Sequence, residues 1–353
     1  MGLDIAIAGG GLLGRLTAWR LLKAGHKVRL YEAASFKHYR GAAATAAGMV
    51  SPLAELVDSD RAIYELGMQS LVLWPQWLSE MPGGMHSLFV QRGSMVVAHP
   101  QDSSELQQFA SKLHYYQAPE ETFELLAPAQ LQQLEPALER FAQGILLKPE
   151  AHINNRSLLP LLLTEIQRLG GICVDQCAVN AVGEQGMETA QGRISADWHI
   201  DCRGLGAKPQ LTGLRGVRGE VMWVSSSEVK LSRPVRLLHP RYKLYVVPKP
   251  NQQFIVGATE IESEDLSAIS LQSQLELSSA LYSLHPAFAE ARVLGSDVNL
   301  RPAMMDNQPC LHRAQGYIRA NGLYRHGYLL APAMVERIQA VVEGRAASAE
   351  VLP

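Results

Sequence analysis

The N-terminal part of the sequence carries the residues whose types and spacing most directly indicate ligand binding. Residues 9–14 (GGGLLG) follow the short apolar run 5–8 and precede apolar residues at helical spacing. A second apolar run, 28–31, ends in Glu32, about 20 residues beyond the glycines. A strand, a glycine turn, a helix and a second strand ending in an acid are together typical of a dinucleotide-binding unit. A glycine-rich turn without a ligand is the alternative.

Each residue of this unit would have a mechanical role. Gly9 permits the tight turn, Gly11 lets the backbone approach a pyrophosphate, and Gly14 allows the helix to pack closely on the strand. The helix N-terminus adds positive potential and free N–H groups. Glu32 would accept hydrogen bonds from ribose hydroxyls. The pattern does not separate NAD from FAD, but its place ahead of further cofactor-like segments favours FAD.

Two later segments also suit close contact with a large cofactor. Residues 41–49 (GAAATAAGM) are mostly small, and small side chains let a backbone lie flat against a planar ligand. Residues 203–206 (RGLG) follow a predicted strand, and Gly204 there could form another turn that a ligand approaches closely. An alanine-rich loop or helix start is the alternative for the first segment.

Arg301 and Arg325 are the residues best suited to bind a carboxylate. A planar guanidinium holds a carboxylate through two charge-assisted hydrogen bonds. Both arginines lie in apolar stretches beside a proline or a glycine, where a charge without a partner is costly to bury and a bound anion would supply the partner. Tyr245 could add a hydroxyl to the same carboxylate. Structural ion pairs, and a half-buried sheet position for Tyr245, are the alternatives.

His326 is the histidine nearest to these candidates, and it could titrate near neutral pH and influence a bound amine. The other histidines are scattered without the spacing of metal ligands. The pair Cys310 and His312 is too isolated to form a metal site. We therefore predict no metal.

The composition excludes several classes of protein. The chain has 353 residues, of which 47% are hydrophobic and 19% charged, with a formal net charge of -2. These values exclude a disordered acidic chain and provide no polybasic surface for nucleic acid or an anionic membrane. Four cysteines without a C-x-x-C pair favour a reducing compartment. Because no long uninterrupted apolar run occurs either, we predict a soluble cytoplasmic protein that binds a small molecule.

The elements around these motifs indicate two interleaved domains. Helices are expected over residues 58–79, broken near Pro75, and close to the C-terminus, with Pro332 in the first turn. Strands over residues 220–224 and 243–247 indicate a second sheet. The predicted fold class is α/β, with a Rossmann-like FAD-binding domain interleaved with a β-sheet-based α+β substrate domain. The FAD-binding domain is expected to take residues 1–80, 145–215 and 305–353, and the substrate-binding domain residues 81–144 and 216–304.

With these segments placed, the chain resembles the FAD-dependent D-amino-acid-oxidase-like superfamily, and within it most closely the ThiO-type glycine oxidases of thiamine biosynthesis. The resemblance runs nearly from end to end. The motifs that carry it are residues 9–14, residues 46–49 continuing to Pro52 and Glu55, 218–220 (RGE), 245–248 (YVVP), 300–302 (LRP) with Asp306 and Pro309, and 322–332 (GLYRHGYLLAP).

The resemblance implies FAD as the cofactor. It is expected to be non-covalent, because Cys310 does not match the motif through which some relatives attach a flavin. A valine in the strand after residues 170–171, Val179, would contact the adenosine end. The other implied FAD contacts are Leu12, Leu13, Glu32, Ala33, Ala42, Ala43, Ala47, Gly48, Met49, Leu323, Tyr324, Arg325, His326, Gly327, Tyr328 and Leu329.

The implied activity is oxidative deamination of glycine or another small amino acid or amine. Hydride transfer to flavin N5 would give an imine and, with dioxygen, hydrogen peroxide; a role in making the thiamine thiazole is also implied. A homo-oligomer is one option for the assembly, which the sequence leaves open. The chain departs from the family pattern at Leu323, His326 and Asn299, where histidine, asparagine and glycine are usual. His326 is thus either a titrating group or a hydrogen-bonding replacement for asparagine. Two alternatives stay open: a dehydrogenase of a 2-hydroxy acid or secondary amine that uses a quinone or carrier protein, and a non-catalytic flavoprotein partner.

Overall fold

The first elements of the chain form the predicted strand–turn–helix–strand unit in the computed structural model. Strand β1 (Asp4–Ala8) leads through the glycine turn to helix α1 (Leu12–Lys23), and strand β2 (Lys27–Tyr31) pairs with β1 in parallel. The structure describes residues 2–39, 41–82, 88–240 and 243–345. The other positions of the predicted domains, 1, 40, 83–87, 241–242 and 346–353, lie outside the described residues.

The N-terminal unit belongs to a largely parallel sheet. Its other strands are β9 (Ile172–Val174), β13 (Trp198–Asp201), β19 (Cys310–Ala314) and β20 (Tyr317–Asn321). In the described chain the strand order is β19-β20-β13-β1-β2-β9, with β19 antiparallel to β20. A parallel sheet that extends from β1 in both directions is Rossmann-like, and such sheets bind ligands at the carboxyl ends of their strands, where the order reverses.

Successive side chains of strand β1 point to opposite faces of this sheet. Ile5 and Ile7 join a core formed with the helices, whereas Ala6 and Ala8 join a smaller core under a three-stranded meander. The helices are α1, α4 (Arg61–Ser79), α7 (Asn155–Arg168) and α9 (Gly327–Val342). The meander consists of β10 (Val179–Gly183), β11 (Gly186–Thr189) and β12 (Gly192–Ile194).

A second sheet carries the rest of the candidate site. Its strands are β5 (Ser94–Ala98), β6 (Phe123–Leu126), β7 (Gly144–Leu147), β14 (Arg215–Ser225), β15 (Val235–Leu238), β16 (Lys243–Lys249), β17 (Gln253–Gly257) and β18 (Arg292–Ala303). Over the described residues the order is β18-β14-β17-β16-β15-β5-β7-β6. Helix α8 (Leu271–Leu284) packs Leu277 and Leu281 against Met222 and Val256 of this sheet. The predicted α/β fold class is thus confirmed.

Two strands of the second sheet cross the predicted domain bounds. Strand β7 continues to Leu147, beyond the bound at 144, and β14 begins at Arg215, before the bound at 216. Both strands belong wholly to the second sheet, so these two predicted bounds fall inside strands rather than in a linker. The domain bounds stay a prediction.

Short elements connect the two sheets. They are helices α2 (Ala42–Thr45), α3 (Pro52–Asp58), α5 (Ser103–Tyr115) and α6 (Pro128–Leu134), and strands β3 (Met49–Val50), β4 (Phe89–Val90) and β8 (Ala151–Ile153), paired in the order β3-β8-β4. Strand β3 lies at the end of the small-residue segment 41–49, and α3 follows directly after it. Residues of this region line the cavity described below. None of the helices in the described ranges is long and apolar enough to cross a membrane.

Two prolines do not act as predicted. Helix α4 continues through Pro75, and α9 begins at Gly327, so that Pro332 lies beyond the first turn. A proline inside a helix costs about 3 kcal/mol or more. Burial next to these prolines offsets part of that cost, since Trp74 is fully buried and its indole N–H donates to the Tyr328 carbonyl over 2.8 Å. Packing between α4 and α9 therefore overrides the local signal.

Candidate active site

A single cavity collects most of the predicted site residues. Its volume is about 450 Å³, and it extends from the carboxyl ends of β1 and β13 to the face of the second sheet. The predicted residues that line it are Gly9, Gly11, Leu12, Leu13, Glu32, Ala42, Ala43, Ala47, Gly48, Met49, Gly204, Tyr245, Arg301, Leu323, Tyr324, Arg325, His326, Gly327, Tyr328 and Leu329.

Three predicted cofactor residues lie outside the lining of this cavity. Gly14 packs α1 on β1, since a Cβ there would be 1.9 Å from the Gly9 carbonyl oxygen. Val179 begins β10, and its carbonyl accepts a hydrogen bond from Arg203 over 2.8 Å. Ala33 directly follows Glu32. For these three, direct contact with a cofactor stays a prediction.

The glycine turn and Glu32 form one end of the cavity. Gly9 has a φ of 102°, a left-handed conformation that favours glycine. The Glu32 carboxylate accepts hydrogen bonds from the backbone N–H of Gly10 over 2.6 Å and of Ala34 over 3.0 Å. Helix α1 has Gly11 as its N-cap and no side-chain capping hydrogen bond. Its N-terminal N–H groups therefore suit a pyrophosphate, as in dinucleotide-binding folds.

Side chains that the sequence analysis did not select hold the small-residue segment in place. The Asn155 side-chain amide donates to the Ala44 and Ala46 carbonyls over 2.9 and 2.7 Å. The Lys249 Nζ donates to the carbonyls of Ala47 and Ile153, each over 2.7 Å. These bonds fix the backbone that would lie against a planar ligand.

Lys249 makes these bonds from a buried position. Its exposed fraction is 9%, and burial, followed by the nearby charge of Arg156, lowers the pKa of its ammonium to about 7. The sequence offered one weak signal for it, a lysine directly after the apolar run 244–248. Only the tertiary fold brings that lysine under Ala47.

Arg301 and Tyr245 lie over two glycines of the second sheet. A Cβ on Gly219 would be 2.5 Å from the Arg301 Cζ, and a Cβ on Gly257 would be 2.8 Å from the Tyr245 hydroxyl oxygen. Since Gly257 pairs with Val221, two residues along β14 from Gly219, both side chains extend over the same region of the sheet. The structure thus brings the predicted arginine and tyrosine together.

The polar partners of Arg301 leave it able to bind an anion. Its guanidinium donates to the backbone carbonyls of Thr259 over 2.9 Å and Arg218 over 3.3 Å. Within the described residues, no carboxylate forms an ion pair with it. Burial raises the pKa of the Tyr245 hydroxyl, against the opposing effects of Arg301 and Arg236, so Tyr245 stays a hydrogen-bond donor.

The sequence argument expected a bound anion to pair with Arg325. In the structure, carboxylates of the chain itself pair with it. Its guanidinium forms ion pairs with Glu55 at 2.9 Å and Glu260 at 3.2 Å, and donates to the Ser59 hydroxyl over 3.1 Å. Its positive charge is therefore balanced within the chain. Contact of Arg325 with a substrate carboxylate stays a prediction.

His326 is buried and bound to the same carboxylate. Its Nε2 lies 2.9 Å from the Glu55 Oε2, while its Nδ1 is buried and has no hydrogen-bond partner among the described residues. Burial by itself would raise the pKa of Glu55, but His326, Arg325 and Arg236 together hold it well below its usual value. Glu55 is thus a charged centre that joins α3 to the start of α9.

The order of the sheets and the cavity define the class of protein: a Rossmann-like dinucleotide-binding fold with a second sheet that faces the same cavity. The chain belongs to the family described as FAD dependent oxidoreductase (DAO), whose model matches residues 4–338. Its cofactor is accordingly FAD, for which the glycine turn, the free N-terminus of α1 and Glu32 provide a fitting site. Cys310 is buried in β19 and lies outside the cavity lining, and non-covalent binding of the flavin stays a prediction.

Relatives with assigned names support the same family membership. A Rhizobium etli protein, whose name assigns it to thiamine biosynthesis as the oxidoreductase ThiO, is 37% identical over 335 residues, covering 95% of this chain and 94% of its own. The glycine oxidase of Geobacillus kaustophilus is 24% identical and covers 99% of this chain and 95% of its own. The structure of Bacillus cereus glycine oxidase matches with a TM-score of 0.86 at 22% identity, over 98% of each chain. Because its sequence identity is only 22%, the Bacillus cereus structure shows a shared fold and nothing more.

Proposed function

We propose that this FAD-dependent oxidoreductase oxidises glycine or another small amino acid or amine to the corresponding imine. The observation that carries the proposal is the convergence of Arg301 and Tyr245 in the cavity that also holds the glycine turn of the cofactor site. A guanidinium without a carboxylate partner in the described chain, next to a phenol that donates, is the chemistry that binds an α-carboxylate.

The chain's own residues bind and orient the substrate in this proposal. Arg301 and Tyr245 hold the carboxylate, and this fixes the direction of the substrate Cα–H bond. The Arg325 and His326 side chains, held by Glu55, form the adjoining wall. The N–H groups of residues 327–330, in the first turn of α9, place positive potential beside the cavity, where it stabilises negative charge.

FAD, held at the glycine turn, the N-terminus of α1 and Glu32, would supply a hydride acceptor for the Cα–H bond, and dioxygen would take up the two electrons. The nitrogen lone pair of the neutral amine forms the C=N bond as the hydride leaves, and water hydrolyses the imine. For glycine the sum is glycine, dioxygen and water giving glyoxylate, ammonia and hydrogen peroxide. The name of the Rhizobium etli relative further supports a role in thiamine biosynthesis, and the thiamine thiazole as the product made stays a prediction. Dioxygen as acceptor, a homo-oligomeric state and a cytoplasmic location stay predictions.

Anaerobic mixing of the holoenzyme with glycine, sarcosine, D-alanine and D-proline tests this proposal. We expect at least one of them to bleach the oxidised flavin spectrum, and R301M to need a much higher substrate concentration. R313M, at an exposed arginine of β19, is the matched control and should behave as wild type. No bleaching by any small amino acid would contradict the proposal, whereas bleaching without peroxide under air would favour the dehydrogenase alternative.

A further inference from the structure

A third arginine, which sequence analysis did not select, lines the same cavity. Arg236 lies on β15 directly opposite Tyr245 of β16, so their side chains leave the same face of the sheet. The Arg236 side chain is 18% exposed. Tyr245 extends over Gly257 on the other side, towards Arg301. Tyr245 therefore stands between two guanidinium groups.

The Arg236 guanidinium makes no hydrogen bond to any described residue, and its Nε is buried without a partner. Its nearest carboxylate oxygen is the Oε1 of Glu55, at 3.8 Å, which is within ion-pairing range but too far for a hydrogen bond. The other oxygen of Glu55 already accepts from Arg325 and Ser59 and contacts His326. Arg236 is therefore partly buried, and its guanidinium donors stay available to a ligand in the cavity.

A buried donor without an acceptor costs about 1–3 kcal/mol, and more when it is charged. A substrate with one carboxylate, held by Arg301 and Tyr245, leaves the Arg236 Nε in that state and the rest of the guanidinium without a hydrogen bond to any described residue. A second anionic group on the substrate would satisfy these donors. Two carboxylates of the chain act on Arg236 without a hydrogen bond: Glu55, which already pairs with Arg325, and the buried Glu150, whose pKa the charge of Arg236 lowers against the effect of burial.

We propose that Arg236 is a substrate-binding residue for a second carboxylate, and that the preferred substrates are small amines or amino acids with two carboxylates. This inference rests on the proposed function and names its substrate class. The second carboxylate is carried either on the side chain, as in aspartate, or on the amine, as in N-carboxymethylglycine.

Binding of unreactive acids to the holoenzyme gives a test that does not depend on turnover. Perturbation of the flavin spectrum is titrated with malonate and succinate, and with acetate and propionate, for wild type and R236M. We expect wild type to bind at least one dicarboxylate 10-fold or more tightly than the monocarboxylates. R236M should lose that preference but change its affinity for acetate no more than about threefold. R236K should restore part of the preference for the dicarboxylate. R292M, at a 77% exposed arginine side chain of β18, is the control.

Anaerobic flavin reduction by glycine, N-carboxymethylglycine and both enantiomers of aspartate separates this inference from the proposed function. Equal binding of mono- and dicarboxylates by wild type, or the same ratio in wild type and R236M, would overturn the role of Arg236 even if glycine reduces the flavin. If none of these amines and none of the small amino acids tested above reduces the flavin, the proposed function fails, whatever the titrations give.

Discussion

The guanidinium of Arg301 lies flat over Gly219, on the neighbouring strand of the second sheet. A Cβ on Gly219 would be 2.5 Å from both Cζ and Nη2 of Arg301, a separation that side chains do not reach without displacement. The absence of a side chain at Gly219 therefore sets the position of the group proposed to bind the substrate carboxylate. The same relationship joins Tyr245 to Gly257.

Replacing Gly219 with alanine should weaken substrate binding more than it affects the cofactor. The new methyl group would push the Arg301 guanidinium away from the Thr259 and Arg218 carbonyls that orient it. We expect KM for the amino acid to rise about 10-fold or more, since a displaced bidentate contact loses at least about 1.4 kcal/mol. G183A is the control, because a Cβ on Gly183 would meet nothing within 4 Å. An unchanged KM in G219A would contradict this account.

Replacing Glu32 with alanine should weaken FAD binding. The carboxylate both fixes the Gly10 and Ala34 backbone and faces the cavity at its predicted ribose end. Loss of hydrogen bonds to a charged group costs about 1.5–3 kcal/mol, so the Kd for FAD should rise by about 10-fold or more. Quenching of FAD fluorescence by the apoprotein measures it. E188A, at an exposed glutamate of the meander, should bind FAD as wild type does.

Replacing Glu55 with glutamine should destabilise the protein, since it leaves Arg325 in a partly buried site with one of its two carboxylates. Removing one partner of such a buried pair costs about 3 kcal/mol. The Glu55 side chain is 12% exposed, whereas that of Glu65, paired with Arg61 on the surface of α4, is 58% exposed. Urea unfolding should therefore show a large loss for E55Q and less than about 0.5 kcal/mol for E65Q. Equal losses of unfolding free energy in E55Q and E65Q would show that the contacts of Glu55 stabilise the fold no more than a surface ion pair does.

Lys249 makes a testable contribution to pH dependence. Its pKa is about 7 in the folded protein, below the ordinary value of an exposed lysine in the unfolded chain. Between these values the unfolded state binds a proton that the folded state does not, so this group makes stability rise with pH. From pH 7 to pH 9 the free energy of unfolding should gain up to about 2 kcal/mol from Lys249.

The variant K249M should be less stable overall, because the Ala47 and Ile153 carbonyls lose their donor, and should lack this rise. K208M, at a lysine paired with Glu264 on the surface, should keep the wild-type slope. The same slope in K249M and wild type, measured by urea unfolding at both pH values, would rule out titration of Lys249 in this range.

Local patterns in the sequence were enough to predict the cofactor half of the site. The glycine turn, α1 and Glu32 lie within one supersecondary unit, whose geometry follows from a few residue types at fixed spacing. The presence of α9 was also predicted, but not its start, because the packing of α9 against α4 outweighs the local effect of Pro332.

Relationships across the chain were not accessible in this way. Glu55 and Arg325 are 270 residues apart, and Lys249 and Ala47 are 202 apart. Arg236 occupies an ordinary strand position, so only its pairing with Tyr245 shows that it faces the cavity. Gly219 and Glu55 did stand within recognisable motifs, but their partners depend on how the two sheets meet.

The central claim is that Arg301 and Tyr245 hold the substrate carboxylate in front of the cofactor. A crystal structure of the holoenzyme with glycolate, an unreactive analogue of glycine, tests it most directly. The account predicts the glycolate carboxylate within hydrogen-bond distance of the Arg301 guanidinium and the Tyr245 hydroxyl, with its carbon facing the flavin ring. A carboxylate bound away from both residues, or Arg301 and Tyr245 directed away from the flavin, would contradict it.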